Sequence, residues 1–362
     1  MNLLEHAGKA LLSAAGIAVP AGYVCRTVDE VASAADALGP CAIKAQVPAG
    51  RRGKAGGIRL ADTVEEAVAA AGAIFGMSIG GHVVEELLVE QQLDIVEEIY
   101  VAILNDPATA GPLLLFSAEG GMEIEDLVAE RPETLLRLPI DIREGIGLVP
   151  LERGVSQLIQ TLYLLFIEAD AELLEINPLV RTAEGNLVAL DCKLTVDDSA
   201  LPRQPDLAEI GVPEKLTALE ERGKSAGLRY IELDGEVGIL ANGAGLTMTT
   251  MDAVSHYGGR PANFLEIGGE AYTKGKEALS LVLANPNVKS LLVNFCGAFA
   301  RTDVMTEGLL AAWDEVPDDM PVFFTIHGTG DEDAIAMVRD RLGIEPFELM
   351  DDAVVAAVEA AR

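Results

Sequence analysis

The chain has 362 residues, half of them hydrophobic, and a formal charge of −32 from 26 basic and 58 acidic side chains. That length fits two or three domains, each able to bury its own core. The acidity excludes nucleic acid as the main partner, because phosphate repels such a surface, and no apolar run reaches the ~20 residues of a membrane span.

Cys25, Cys41, Cys192 and Cys296 are scattered and form no CxxC pair, so neither a zinc site nor a disulfide framework is indicated. His6, His82, His256 and His327 are also isolated, without metal-ligand spacing. The opening MNLLEHAGKALLSAAGIAVP carries Glu5 and His6 where a leader peptide would be basic. Its Leu3, Leu4, Ala7, Leu11 and Leu12 spacing predicts an amphipathic helix. The expectation is a cytoplasmic protein whose first domain begins at residue 1.

After a break at Val19-Pro20-Ala21-Gly22 come a predicted helix over 27–38, with Thr27 or Asp29 at its start, and a strand over 41–47. From 37 to 61 there are five cations (Lys44, Arg51, Arg52, Lys54 and Arg59) and no acid. In so acidic a chain that island calls for a reason. The segment PAGRRGKAGG, 48–57, is a glycine-rich loop whose backbone N–H groups and cations can wrap a polyphosphate. It lacks the GxxxxGK[ST] of a Walker A loop, and a solvated basic turn would carry the same residues.

A helix over 63–75 follows, then strands over 83–89 (ending in Glu90), 95–104 (with Glu97 and Glu98 near its start) and 112–117, then a helix over 155–166. The helix leads into LLEINPLVRTAEGNLVALDCK, 173–193, which reads as a β-hairpin with arms 173–180 and 187–190. Folded about Glu184-Gly185, it sets Asn177 beside Asp191, with Glu175 on the same strand face as Asn177. An amide oxygen and two carboxylates then converge, the donor chemistry that Mg²⁺ takes together with phosphate oxygens. Two α+β lobes, one with a phosphate loop and one with a metal hairpin, are what a nucleotide held between two sheets requires.

Residues 197–227 read as a polar connection with a helix over 213–222. A second rhythm begins with strand 237–241, the glycine turn Asn242-Gly243-Ala244-Gly245 and helix 247–257. Strand 263–265 precedes Gly268-Gly269, and helix 274–284, strand 290–295, loop 296–301, helix 304–313, strand 322–326 and helix 331–342 complete it. This alternation predicts a doubly wound parallel sheet with ligands beyond the carboxyl ends of its strands, at 242–245 and 297–301.

On these residues the chain resembles the succinyl-CoA synthetase (succinate–CoA ligase) β-subunit family. The resemblance runs almost the full length and rests on MNLLEHAGKALL, AIKAQVPAGRRGKAGGIR, SAEGGMEIE, LLEINPLV, ALDCKL, RQPDL, ANGAGLTMTTMD and GGRPANFLEIGG. It implies an α/β and α+β architecture: an ATP-grasp nucleotide-binding domain over 1–226, then a flavodoxin-like CoA-ligase domain over 227–362. It further implies ATP/ADP or GTP/GDP with Mg²⁺, a small dicarboxylate substrate, and an α subunit that carries the phosphorylated histidine and binds CoA. Carried over by motif, Lys44 and the backbone of Arg51, Arg52 and Gly53 would hold the nucleotide phosphates. Glu90 would lie at the adenine side, Glu98 would face the ribose or phosphates, and Leu93 would also belong to the nucleotide site. Asn177 and Asp191 would bind Mg²⁺, and Glu175 would orient the partner's histidine. Asn242 with Ala298, Phe299 and Ala300 would meet the carboxylate and the phosphohistidine loop.

The chain departs from the family pattern at Gly50-Arg51-Arg52-Gly53, Gly297-Ala298-Phe299-Ala300-Arg301, Ile326-His327-Gly328-Thr329-Gly330, and in a short stretch between Leu138 and Val155. These departures bear on the acid more than on the ligase chemistry. A malate–CoA ligase β subunit shares every motif, and a regulatory partner could keep the fold without turnover.

Overall fold

A computed structural model of the chain describes all residues except 123, 125–127, 130, 148, 214 and 268–273. The expected Gly268-Gly269 and part of the SAEGGMEIE motif therefore lie outside the described residues. Two compact units result, Met1–Glu214 and Lys215–Arg362.

The first unit opens with α1 (Glu5–Ala14), β1 (Gly22–Cys25), α2 (Val28–Leu38), β2 (Cys41–Ala45), β3 (Ile58–Ala61), α3 (Val64–Ile74), β4 (Ser78–Ile79), β5 (His82–Val83) and β6 (Leu87–Gln91). Sheet order is β1-β6-β2-β3, and every pairing is antiparallel. Local chemistry fixes the helices. Thr27 caps α2 in a capping box with Glu30, and Thr63 accepts from the Glu66 N–H at the start of α3. Val31, Ile43, Ile74, Leu87 and Val89 fill the core between these helices and the sheet.

The strand expected over 83–89 is two pieces. Gly80 and Gly81 both take positive φ, 58° and 80°, and close the small β4–β5 ribbon, as a tight hairpin turn requires. The rest of the segment joins the main sheet as β6.

The unit continues with β7 (Ile95–Asp106), β8 (Gly111–Ser117), β9 (Leu136–Pro139), α4 (Arg153–Glu168), β10 (Ala171–Thr182), β11 (Leu187–Ala189), β12 (Lys193–Val196) and α5 (Pro205–Ile210). The second sheet runs β11-β10-β7-β8-β9, with β12 also on β10. Its core joins Leu12 of α1 and Ile159 and Leu162 of α4 to Ile103, Leu114 and Leu174. The hairpin forms as expected, except that its second arm is interrupted at 190–192, where the Leu190 N–H still donates to the Pro178 carbonyl at 3.0 Å.

The second unit holds α6 (Ala218–Ser225), β13 (Arg229–Glu232), β14 (Val237–Ala241), α7 (Ala244–His256), β15 (Asn263–Glu266), α8 (Gly275–Leu283), β16 (Ser290–Gly297), α9 (Thr302–Leu310), β17 (Val322–Gly328), α10 (Asp331–Leu342) and α11 (Met350–Ala360). The sheet runs β13-β15-β14-β16-β17. Helices α8, α9 and α10 cover one face around Val293, Phe295 and Phe324; α7 and α11 cover the other around Ile239, Leu292 and Val354. The doubly wound arrangement is as expected.

Three expectations need correction. The edge strand β13 is antiparallel, because the short link over 233–236 cannot carry a parallel crossover. The helix expected over 213–222 starts later: Thr217 and Glu220 form its capping box, which outweighs Pro213 as a start signal. The boundary expected after 226 thus falls one helix earlier, since Gly223 of α6 packs against Tyr230 and Leu281 of the second unit. Helix α11 was not anticipated; Ala353, Val354, Ala357 and Val358 supply its buried face.

Candidate functional site

Residues 46–57 join β2 to β3 and border a cavity of about 620 Å³ in the first unit. Lys44 on β2, Arg51, Arg52 and Gly53 on the loop, Glu175 and Asn177 on β10, and Asp191 in the gap between β11 and β12 all line it. The structure thus gathers seven residues that the sequence singles out. Ligand pockets run about 300–1,000 Å³, so the space suits a mononucleotide. Arg51 stands in the loop with φ 60°, a left-handed conformation that costs most side chains roughly 1–2 kcal/mol.

The cations are held from behind by carboxylates. The Lys44 ammonium donates to Glu5 Oε1 at 3.0 Å and the Leu190 carbonyl at 2.6 Å, and lies 2.7 Å from Glu90 Oε2. Arg52 Nη1 donates to Glu5 Oε2 at 2.6 Å and the Ala45 carbonyl at 3.0 Å. Its Nη2 donates to the two Asp191 oxygens at 2.8 and 2.9 Å. Lys9 completes the cluster, 2.7 Å from Glu5 and 2.6 Å from Glu90.

Lys9, Lys44 and Arg52 therefore balance Glu5, Glu90 and Asp191. All but Asp191 are buried. Burial by itself would raise the Glu5 carboxyl, but Lys44, Arg52 and Lys9 hold it well below the usual carboxylate range. Burial would likewise lower Lys44 and Arg52, but Glu5, with Glu90 beside Lys44 and Asp191 near both, holds them above their ordinary values. Glu5, Lys44 and Arg52 therefore stay ionised at neutral pH. Removing one member of such a buried pairing leaves an uncompensated charge and typically costs about 3–5 kcal/mol.

The hairpin supplies the oxygens. Above the gap Arg181 faces Leu187 and Leu179 faces Ala189; below it Glu175 faces Lys193 and Leu174 faces Leu194. One register runs through both stretches and sets Asn177 across from Asp191. Asn177 Oδ1 accepts from the Gly121 N–H at 2.9 Å, and its Nδ2 donates to the Met122 carbonyl at 2.8 Å. That loop reaches Asn177 by pressing onto β7: a Cβ at Gly120 would lie 2.6 Å from the Ile99 backbone. The buried Tyr100 hydroxyl donates to Glu175 Oε2 at 3.2 Å. Asn177 and Asp191 offer hard oxygen donors that fit a divalent cation completing its shell with phosphate and water. Among the described residues no three His, Cys, Asp or Glu side chains converge as a metal cluster.

Other expected residues lie apart from the cavity. Glu90 on β6 is buried, with its carboxylate spent on Lys9 and Lys44. Leu93 lies in the β6–β7 connection and Glu98 is exposed on β7; neither lines the cavity. Asn242 follows β14 in the second unit, where its amide accepts from the Cys296 N–H at 2.7 Å and donates to the Cys296 carbonyl at 2.9 Å. Ala298, Phe299 and Ala300 form the turn after β16, with the Phe299 side chain 92% exposed. Sequence reasoning missed Glu5, Lys9 and Tyr100. The available signal for the first two was an opposite-charge pair one helical turn apart on the face that buries Ala7 and Leu12.

The matches with known proteins follow the same division. Residues 2–181 match the family described as ATP-grasp domain, and 240–345 that described as CoA-ligase. This pair of modules in this order fits the class of nucleotide-dependent CoA ligases. Within it, a succinate–CoA ligase [ADP-forming] subunit beta from Rubrobacter xylanophilus is 42% identical over 381 residues, covering 100% of this chain and 99% of the relative. One from Chloroflexus aurantiacus is 40% identical, with 100% and 99% covered. A [GDP-forming] subunit beta from Thermus thermophilus is 41% identical, with 94% of each covered. The chain belongs to the succinate–CoA ligase β-subunit family. The structure of ATP citrate lyase from Methanothrix soehngenii in complex with citrate and coenzyme A shares the fold at a TM-score of 0.69 and 21% identity, with 99% of each chain covered.

Proposed function

We propose that this chain is the nucleotide-binding β subunit of a heteromeric succinate–CoA ligase, working in the cytoplasm with an α subunit. The observation that carries this reading is the convergence of Lys44, Arg52, Asn177 and Asp191 on one cavity in an ATP-grasp domain. Family membership implies a nucleotide and, as a rule, Mg²⁺. Lys44, Arg51, Arg52 and the Gly53 backbone hold the nucleotide phosphates. Asn177 and Asp191 would hold Mg²⁺, which would supply charge neutralisation at the phosphate oxygens. Because the Asp191 oxygens now rest on Arg52, loading a cation means parting that pair and leaving Arg52 to the phosphates.

Phosphoryl transfer calls mainly for positioning and charge neutralisation. The γ-phosphoryl passes to a histidine of the α subunit as ADP or GDP leaves. Glu175, held by Tyr100, orients that histidine. A carboxylate oxygen of the acid then takes the phosphoryl group, forming an acyl phosphate and freeing the histidine. The CoA thiolate attacks the acyl carbon and inorganic phosphate departs. Splitting the condensation into these steps is the usual gain of covalent catalysis. Asn242 and the Ala298–Phe299–Ala300 turn face the acid and the phosphohistidine loop.

The test is to supply γ-labelled ATP to the chain alone and to its complex with the α subunit. Label is expected on an α-subunit histidine and not on this chain; a labelled histidine here would overturn the division of labour. A ligation screen over succinate, malate and other short carboxylates, with ATP and GTP, then separates succinate from malate ligation. Phosphorylation without ligation of any acid would favour a regulatory subunit.

A further inference from the structure

Glu5 has no step in the reaction above, yet its side chain is only 1% exposed and sits directly behind the cations of the cavity. Helix α1 delivers it there with Lys9, one turn on, from a face that otherwise buries small and aliphatic residues. Burying an ion pair on such a face seldom improves stability over well-packed apolar side chains, so packing alone does not account for it. The carboxylate divides its oxygens: Oε1 takes the Lys44 ammonium at 3.0 Å and Oε2 takes the Arg52 guanidinium at 2.6 Å. One cation stands on a strand and the other on a loop, and Glu5 hydrogen-bonds to both. Arg52 in turn grips both oxygens of Asp191.

We propose that Glu5 is a positioning residue for the nucleotide phosphates. It sets the separation of the Lys44 and Arg52 charges that face the phosphates. The device matches the strand-lysine and helix-glutamate pair that must be in place in protein kinases. The inference rests on reading the cavity as the nucleotide site.

The test uses the assembled complex with the α subunit. Glu5→Gln keeps the shape and removes the charge; Glu5→Asp keeps the charge and draws it back by one methylene. For Glu5→Gln the nucleotide KM rises roughly 10–100-fold, the range typical when groups supporting a ligand shell are lost, while the KM values for the acid and CoA stay unchanged. Binding of a fluorescent ADP analogue, read without turnover, weakens by a similar factor. Glu5→Asp moves both readouts in the same direction by less.

A purely structural role would lower the active fraction, and so kcat, with every KM unchanged; that result overturns the proposal. Tighter nucleotide binding overturns it too, because Glu5 would then only compete with phosphate for the cations. Should Glu5→Gln fail to fold, Glu5→Asp decides on the same readouts. Lys44→Ala serves as the control. If it leaves ADP-analogue binding intact, the reading of the cavity fails; if it weakens binding while both Glu5 variants do not, the positioning role alone fails.

Discussion

The two units fill their interiors with different kinds of polar group. Among the described residues, the buried charges Glu5, Lys9, Lys44, Arg52 and Glu90 all belong to the first unit. Among its described residues, the buried polar side chains of the second are hydroxyls and amides, such as Thr250, Asn263, Asn294 and Thr325. The groups named here are hydrogen-bonded in both units, whereas the buried hydroxyls of Ser156 in the first and of Thr306 in the second find no partner among the described residues. Asn294 Nδ2 donates to Thr250 Oγ1 at 2.9 Å, and the Thr325 hydroxyl donates to Asn294 Oδ1 at 2.6 Å. The difference lies in what each interior responds to. A balanced ionic cluster changes energy whenever a charged ligand or a proton arrives, and it lies behind the proposed phosphate cavity. A neutral network is indifferent to both and holds the strands whose carboxyl ends present Asn242 and the Phe299 turn.

Asp191→Ala breaks that contrast hardest. It removes the carboxylate from the cation pair and the expected Mg²⁺ ligand together, so Mg²⁺-dependent phosphorylation of the α subunit should fall by on the order of 10²-fold or more. Label transfer from γ-labelled ATP measures it, and unchanged transfer would refute the metal assignment.

Acid comes next. The folded Glu5 carboxyl titrates below its ordinary value of 4.5, so its stabilisation is fully present above pH 4.5 and drains as pH falls through the lowered value. Hydrogen exchange compared at neutral pH and pH 4, corrected for intrinsic rates, should show β2 and β6 losing protection before β16 and β17. Equal loss in both sheets would mean that the ionic cluster contributes little to the first unit's response to acid.

Legibility in the sequence followed the same line. Periodicity and caps made most elements readable, because Thr27, Thr63 and the alternation of β10 act locally. The Asn177–Asp191 juxtaposition was readable because a hairpin turn fixes register by itself. The partners of the cations were not. Glu5 lies 39 positions from Lys44 and 47 from Arg52 along the chain, and within α1 it looks like an ordinary first-turn acid. Strand β13 was missed for a related reason: its place at the sheet edge depends on β15, more than thirty residues later in the chain. Glu90 carried a motif-based role at the adenine side, whereas its burial beside two lysines becomes visible only once α1 is packed.

The smallest expected effect comes from the neutral interior. Asn294→Ala leaves the buried Thr325 hydroxyl without its acceptor and takes a donor from Thr250, which keeps its own bond to the Leu246 carbonyl at 2.7 Å. An orphaned buried donor costs about 1–3 kcal/mol, so denaturant melts should show a loss of that order in the second unit. Removing both partners of a buried hydrogen bond is far cheaper than removing one; Asn294→Ala with Thr325→Val should therefore lose little beyond the single variant. No ionisable group takes part, and the loss should be the same from about pH 5 to pH 8, with ADP-analogue binding unaltered. A loss that varied with pH across that range would mean that the second interior also answers to charge, and the division between the two units would no longer hold.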